Sequence, residues 1–162
     1  AILACRACGC PPEAVSRAIA EFTGIAHRIE YTATKNGIAF YDDSKGTNVD
    51  AVRRALQTFD QPIVLLLGGR DKEGDFETLA SVIRERVKHL ILFGEARDRI
   101  EERLGGIVPT EKIPSLGPAV EAAYRRASEG DVVLLSPGCA SFDEFTDYKA
   151  RGRFFKEVVG RL

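Results

Sequence analysis

Three short segments of this chain gather residue types that handle anions. The first is Asp42-Asp43-Ser44-Lys45-Gly46-Thr47-Asn48. The second is Gly68-Gly69-Arg70-Asp71-Lys72-Glu73-Gly74-Asp75. The third is Ser136-Pro137-Gly138-Cys139-Ala140-Ser141-Phe142-Asp143-Glu144-Phe145. Two of them carry a lysine and two carry hydroxyls. Ammonium groups beside hydroxyls hold carboxylate or phosphate through short charge-assisted hydrogen bonds. Each segment also precedes an expected helix, whose free amides and dipole favour negative charge. Bland readings stay open for every one: Thr47 as a helix cap, Gly68-Gly69 as a strand terminator beside a solvated Lys72, Ser141 and Asp143 as caps. Ser44-Lys45-Gly46-Thr47 lacks the glycine order of a P-loop, and no Gly-x-Gly-x-x-Gly occurs, so neither nucleotide fingerprint is present.

The elements around these segments must bring them together. A helix is expected over 12–22, where Val15, Ala18, Ile19 and Phe22 form one apolar stripe, Pro11 and Pro12 suit its start and Gly24 its end. A hairpin follows, Ile29–Thr32 against Ile38–Phe40, because Asn36-Gly37 suits a tight turn that needs positive φ twice. After Phe40 the period changes. Helices are expected over 48–59 (capped by Thr47 or Asn48), about 76–88 (capped by Asp75), 96–104, 117–128 and about 145–160. Strands are expected at Ile63–Leu67, Leu90–Phe93, 107–113 and Val132–Leu135. The continuously apolar runs among these are what strands covered on both faces look like. Strand–helix alternation implies right-handed crossovers and a mostly parallel sheet. The expected fold is therefore α/β: a Rossmann-like mostly parallel sheet with helices on both faces, preceded by a β-hairpin. Functional loops then belong at the carboxyl ends of the strands.

Composition bounds the partners. The chain has 162 residues, 23 Lys+Arg against 24 Asp+Glu and a net charge of -1, which argues against a bulk polyanion binder. No apolar run approaches the ~20 residues of a membrane span, and the first residues, with cysteines and an arginine and no basic-then-apolar order, are not expected to be a signal peptide. Cys5, Cys8 and Cys10 fall in Cys5-Arg6-Ala7-Cys8-Gly9-Cys10. A zinc reading would need Cys139 or one of two histidines as fourth ligand; the simpler reading is cysteines acting as small hydrophobes, and no metal site is expected. Four thiols without a signal peptide suggest a reducing cytosol. A chain with no Met that starts at Ala1 reads as a piece of a longer one, with a domain boundary near 24–28. Arg28, beside that boundary, could reach a phosphate bound between domains, whereas a lone His27 has a structural reading.

Taken together, Asp43-Ser44-Lys45-x-Thr47-Asn48, Leu67-Gly68-Gly69-x-x-Lys72 and Leu135-Ser136-Pro137-x-Cys139-Ala140-Ser141-x-Asp143-x-Phe145 resemble the C-terminal domain of the Mur ligases. Phe22-x-Gly24-x-x-His27-Arg28-x-Glu30 is similar to the family's junction between central and C-terminal domains. The resemblance runs from about residue 10 to the end, with the loops in the family's order. Its Ser136-Pro137-x-Cys139-Ala140-Ser141-x-Asp143 loop favours the branch that adds D-glutamate, and the Asp-Asn-Pro-Arg motif of the diaminopimelate- and lysine-adding branches is absent. It implies that 1–27 is the helical tail of the ATP-binding central domain and 28–162 the C-terminal domain. The implied activity is a cytoplasmic, peptidoglycan-building ligation. ATP with Mg2+ converts the carboxylate of UDP-N-acetylmuramoyl-L-alanine to an acyl phosphate, and the amine of D-glutamate then displaces phosphate. By the same resemblance Thr47, Lys72 and Ser141 hold D-glutamate, with Tyr148 where the family often has Phe and contacts it through the backbone. Lys45 points at the reacting phosphate, Asp43 binds the ATP ribose, Arg28 lies near the phosphates, and His27 lies near the adenine or the hinge. The P-loop and the magnesium-holding lysine of the family fall upstream. The isolated chain is expected to fold as a monomer without turnover and to bind neither nucleic acid nor membrane. Two alternatives stand beside this: a sibling Mur ligase or folylpolyglutamate synthetase, and a non-catalytic Rossmann-like binding module.

Overall fold

The computed structural model describes residues 1–162. Helices α1 (Ile2–Ala7) and α2 (Pro12–Glu21) come first. The hairpin β1 (Glu30–Lys35) and β2 (Ile38–Asp42) follows, then α3 (Val49–Leu56) and β3 (Ile63–Gly68). A 3₁₀ turn (Phe76–Leu79) runs into α4 (Ala80–Arg86). The rest is β4 (Val87–Phe93), α5 (Arg97–Leu104), β5 (Thr110–Ile113), α6 (Leu116–Arg126), β6 (Val132–Gly138) and α7 (Tyr148–Arg161). One six-stranded sheet has the order β1-β2-β6-β3-β4-β5. Only the β1–β2 pair is antiparallel. Asn36 and Gly37 both take positive φ, 49° and 76°, as the expected turn requires.

The sheet is covered on both sides. Ile63, Leu65 and Leu67 point into a cluster with α3, α4 and α5, while Val64 and Leu66 point into the opposite cluster with α6 and α7. Every residue of β3 and β6 is buried. Each such aliphatic side chain contributes about 1.5–3 kcal/mol on leaving water. The chain leaves β2 and β3 toward the first face and β6 toward the second. Since β6 lies between β2 and β3, the loops after these three strands diverge around β6, and a crevice opens at their carboxyl ends.

Several boundaries differ from expectation for identifiable reasons. The helix expected to about 88 ends at Arg86, because Val87 already pairs with Ile63 in the sheet. Its first turn is 3₁₀, and Asp75 stands at the N-cap position without a side-chain cap bond. The strand expected over 107–113 is confined to Thr110–Ile113. The last helix starts at Tyr148 rather than about 145: Asp147 accepts the Ala150 N–H at 2.6 Å, while the Glu144 and Phe145 amides fold back onto the Ser141 carbonyl. Asn48, not Thr47, caps α3, accepting the Ala51 N–H at 2.9 Å. None of residues 1–26 is buried, and the stripe on α2 leaves Ile19 and Phe22 exposed.

Candidate active site

The loops that follow β2, β3 and β6 are joined by backbone hydrogen bonds. The Gly138 N–H donates to the Gly46 carbonyl at 2.8 Å, and Arg70 and Ala140 exchange two bonds of 2.9 Å. Loop 43–48 therefore bonds to loop 138–145, which bonds to loop 69–75. Thr47, Ser141 and Lys72 sit one or two residues from these junctions. Thr47 is half-buried, Ser141 is buried and Lys72 is exposed. Lys72 takes no part in the ion pairs flanking it, Arg99 with Asp71 and Arg70 with Glu95.

Beside the first loop lies a cleft of about 540 Å³ lined by Arg28, Asp43, Lys45, Gly46, Asn48 and Arg54, among others. Arg28, Lys45 and Arg54 bring three cations to it, whereas Asp50 at its rim is already paired with Arg53 at 2.7 Å. Positive φ at His27 (63°) and Ile29 (46°) brackets Arg28, so the backbone bends sharply where it presents this side chain. Lys45 lies over the Tyr148 ring, 5.2 Å from its centroid, with the phenol oxygen 3.4 Å from Nζ. Such a cation–π contact steadies a long side chain without neutralising it.

Asp43 is buried, accepting from the Ser136 hydroxyl at 2.7 Å and from the Ile29 N–H at 3.3 Å. Burial outweighs these donors and the nearby Arg28 charge, and raises its carboxyl from 3.8 to about 6. Gly46 is required beside it: a Cβ there would meet Asp43 Oδ2 and come within 3.1 Å of the Ser136 hydroxyl.

His27 is not in the cleft. It is buried behind it, its Nδ1 donating to Asp42 at 2.7 Å and its backbone N–H to Glu30 at 2.7 Å. Lys156 completes this cluster, 2.6 Å from Glu30 and 3.8 Å from Asp42. His27, Glu30 and Asp42 lie close enough together to suggest a metal site. The Lys156 ammonium instead supplies the positive charge, and Gly152 lies against them so closely that a Cβ there would reach both His27 and Asp42. This is an ion-paired anchor for the backbone at His27. Tyr148 has its carbonyl engaged by the Ser44 hydroxyl at 2.8 Å, so that backbone group is already spoken for within the chain. Cys139 is buried in the core, and burial pushes its thiol up to about 12, whereas Cys8 and Cys10 are exposed at the other end of the chain.

Arg151 carries no functional signal in its residue type alone. It is fully buried on α7 and reaches both Ser44 and the carbonyls of Cys139 and Ala140. Asp42 likewise stands out in the sequence only as part of the first loop. The one available signal was the arginine at the fourth position of an amphipathic helix, on the side facing the sheet.

Comparisons with known proteins agree with this arrangement. A relative from Syntrophus aciditrophicus, UDP-N-acetylmuramoylalanine–D-glutamate ligase, is 69% identical over 98% of this chain and 35% of its own length. Ligases of the same name from Bdellovibrio bacteriovorus and Geotalea daltonii are 50% and 48% identical over 100% and 95% of the chain. The chain thus spans about a third of the length of the curated relatives it matches. Among solved structures, the UDP-N-acetylmuramate-alanine ligase of Thermotoga maritima shares the fold at a TM-score of 0.70 and 17% identity, over 99% of this chain and 36% of that one. The bifunctional folylpolyglutamate synthase/dihydrofolate synthase of Yersinia pestis does so at 0.63 and 15%, over 93% of this chain and 34% of that one. The match to the Mur ligase, glutamate ligase domain extends from His27 to Cys139, from the buried His27–Asp42 pair to the start of the loop after β6, and this chain belongs to that family.

Proposed function

We propose that this chain is the amino-acid-binding domain of an ATP-dependent ligase that adds D-glutamate to UDP-N-acetylmuramoyl-L-alanine in peptidoglycan synthesis. The observation that carries the reading is the backbone junction of three loops, which links the segments bearing Thr47, Lys72 and Ser141 beside a cationic cleft. A dicarboxylic amino acid suits this set: Lys72 supplies charge and the two hydroxyls supply directional bonds. High identity to D-glutamate ligases, against 15–17% to the alanine-adding and folate-linked neighbours, favours this substrate over the sibling enzymes.

In the cleft, Arg28 faces the phosphates of ATP, and Asp43 accepts from ribose hydroxyls. The bound nucleotide, with its magnesium held by upstream residues, supplies the phosphoryl group that activates the carboxylate of UDP-N-acetylmuramoyl-L-alanine. Lys45, steadied on Tyr148, offsets negative charge as that group transfers and again as phosphate leaves on attack by the D-glutamate amine. Closure of this domain over the upstream one excludes water from the acyl phosphate. Residues 1–27 form the tail of that upstream domain and 28–162 the C-terminal domain; the exposed Ile2, Leu3, Ile19, Phe22 and Ile25 support this, as apolar groups that a second domain would cover. No helix is long and apolar enough to cross a membrane, which accords with a cytoplasmic site for nucleotide-linked substrates.

The test uses the full-length parent with ATP, magnesium and UDP-N-acetylmuramoyl-L-alanine and a panel of amino acids, following phosphate release and product mass. Release that depends on D-glutamate is expected. Release with another amino acid, or with none, overturns the substrate assignment. The isolated chain should fold and show no turnover.

A further inference from the structure

Arg151 is the largest fully buried side chain in the protein, and it touches no carboxylate. Nε donates to the Ser44 hydroxyl at 3.0 Å. One terminal nitrogen donates to the Ser44 carbonyl at 2.9 Å and the Cys139 carbonyl at 3.0 Å, and the other donates to the Ala140 carbonyl at 3.1 Å. All four acceptors are neutral, and all lie in the loops after β2 and β6. The surrounding acids are engaged elsewhere: Asp42 by His27 and the Ser44 N–H, Asp143 by the Glu95 N–H, Glu144 by the Leu116 N–H. A buried cation without a carboxylate in contact is unfavourable relative to an apolar side chain of similar volume. Fold stability alone therefore does not account for its type.

We infer that Arg151 is a positioning residue for the amino-acid substrate: its planar fork sets the spacing of the loops bearing Thr47 and Ser141, and its charge lies beneath them. This rests on the proposed D-glutamate site. Through Ala140 the fork also bears on the Arg70–Ala140 junction, and so on the loop carrying Lys72. The guanidinium reaches four acceptors in fixed directions, whereas a lysine ammonium would keep the charge and lose the fork. Ser44 relays the position onward, since its hydroxyl also donates to the Tyr148 carbonyl at the start of α7. A dicarboxylate arriving between the loops thus meets prearranged donors above a buried guanidinium that is held by neutral acceptors and makes no contact ion pair.

The test compares full-length wild type with Arg151→Lys and Ser44→Ala. For Arg151→Lys the KM for D-glutamate should rise about tenfold or more, the change expected when charged hydrogen bonds of this kind are lost. The KM for UDP-N-acetylmuramoyl-L-alanine, bound upstream, should stay within about twofold. Ser44→Ala should shift the D-glutamate KM in the same direction by about threefold. A residue serving only stability would lower kcat through the active fraction and leave both KM values alone; that pattern overturns the inference. Hydrogen exchange gives a second readout. In Arg151→Lys the Gly138 and Ala140 amides should exchange about tenfold faster, with those of Leu65 and Leu66 unchanged. If wild type itself does not use D-glutamate, the proposed function falls, and unchanged exchange at Gly138 and Ala140 would separately remove the loop-setting role.

Discussion

Replacing Asp43 by Asn should stabilise this protein at neutral pH, and only there. The Asp43 carboxyl lies at about 6 in the fold against an ordinary 3.8. A carboxyl raised on folding holds a proton in the native state that the unfolded chain has already released. Stability therefore falls as pH rises between about 4 and 6, and the whole cost is present above that window. About two pKa units at 1.36 kcal/mol each give roughly 3 kcal/mol. Asp43→Asn carries no titration. Its amide fits the Ser136 and Ile29 donors less well, which adds an offset that does not vary with pH. The quantity to follow is thus the difference in unfolding free energy between variant and wild type, measured by urea denaturation from about pH 4 to pH 7.5. It should move in favour of the variant by roughly 3 kcal/mol across the window, with Arg28 and Asp42, the neighbouring charges, common to both proteins. A difference that stays flat with pH would refute the assignment of a desolvated, ionised Asp43. In the full-length enzyme the same substitution should weaken ATP binding, so the carboxylate would be retained for function at a cost to the fold.

Other outcomes follow from particular contacts. Lys72→Ala should raise the KM for D-glutamate about 10- to 150-fold, the equivalent of one charged hydrogen bond of about 1.5–3 kcal/mol, while Ser141→Ala should cost about 2- to 10-fold; steady-state kinetics of the full-length ligase read both. Gly152→Ala drives a methyl into His27 and sits 2.6 Å from Asp42 Oδ2, so it should destabilise by about 1–3 kcal/mol in urea unfolding. Leu66→Ala, fully buried against α6 and α7, should cost about 2–5 kcal/mol in the same assay with the D-glutamate KM unchanged.

The sheet was legible because its strands announce themselves. A run such as Ile63–Leu67 has no polar residue to spare for a solvent face, and Asn36-Gly37 permits few backbone paths. What misled was the end of each element. Ser141 through Asp147 contains enough caps and apolar residues to begin a helix at several places. The choice of Asp147 is made by tertiary contacts: the Glu144 carboxylate is drawn off to the Leu116 N–H and the Phe145 ring packs on Phe154. Likewise Val87 could extend a helix, and only pairing with Ile63 makes it a strand.

The site was legible in its outward-facing residues and not in the groups that fix them. Lysines, hydroxyls and glycines before helices are visible in one dimension because each is chemically apt where it stands. Arg151 and Asp42 also depend on partners 107 and 15 residues away, and no local pattern encodes that separation. His27 shows the reverse relation. Its position beside Arg28 invites a role at the nucleotide, yet the structure turns it inward to Asp42, and of the two only Arg28 lines the cleft. The two are linked: the positive-φ bends that bury His27 also turn Arg28 outward. Removing the imidazole by His27→Ala should therefore act on the neighbour, leaving Asp42 with the Ser44 N–H and a Lys156 ammonium at 3.8 Å. The expected cost is about 1–3 kcal/mol of stability, together with a higher KM for ATP in the full-length enzyme. Normal ATP kinetics in a folded His27→Ala enzyme would mean that Arg28 keeps its direction without the anchor.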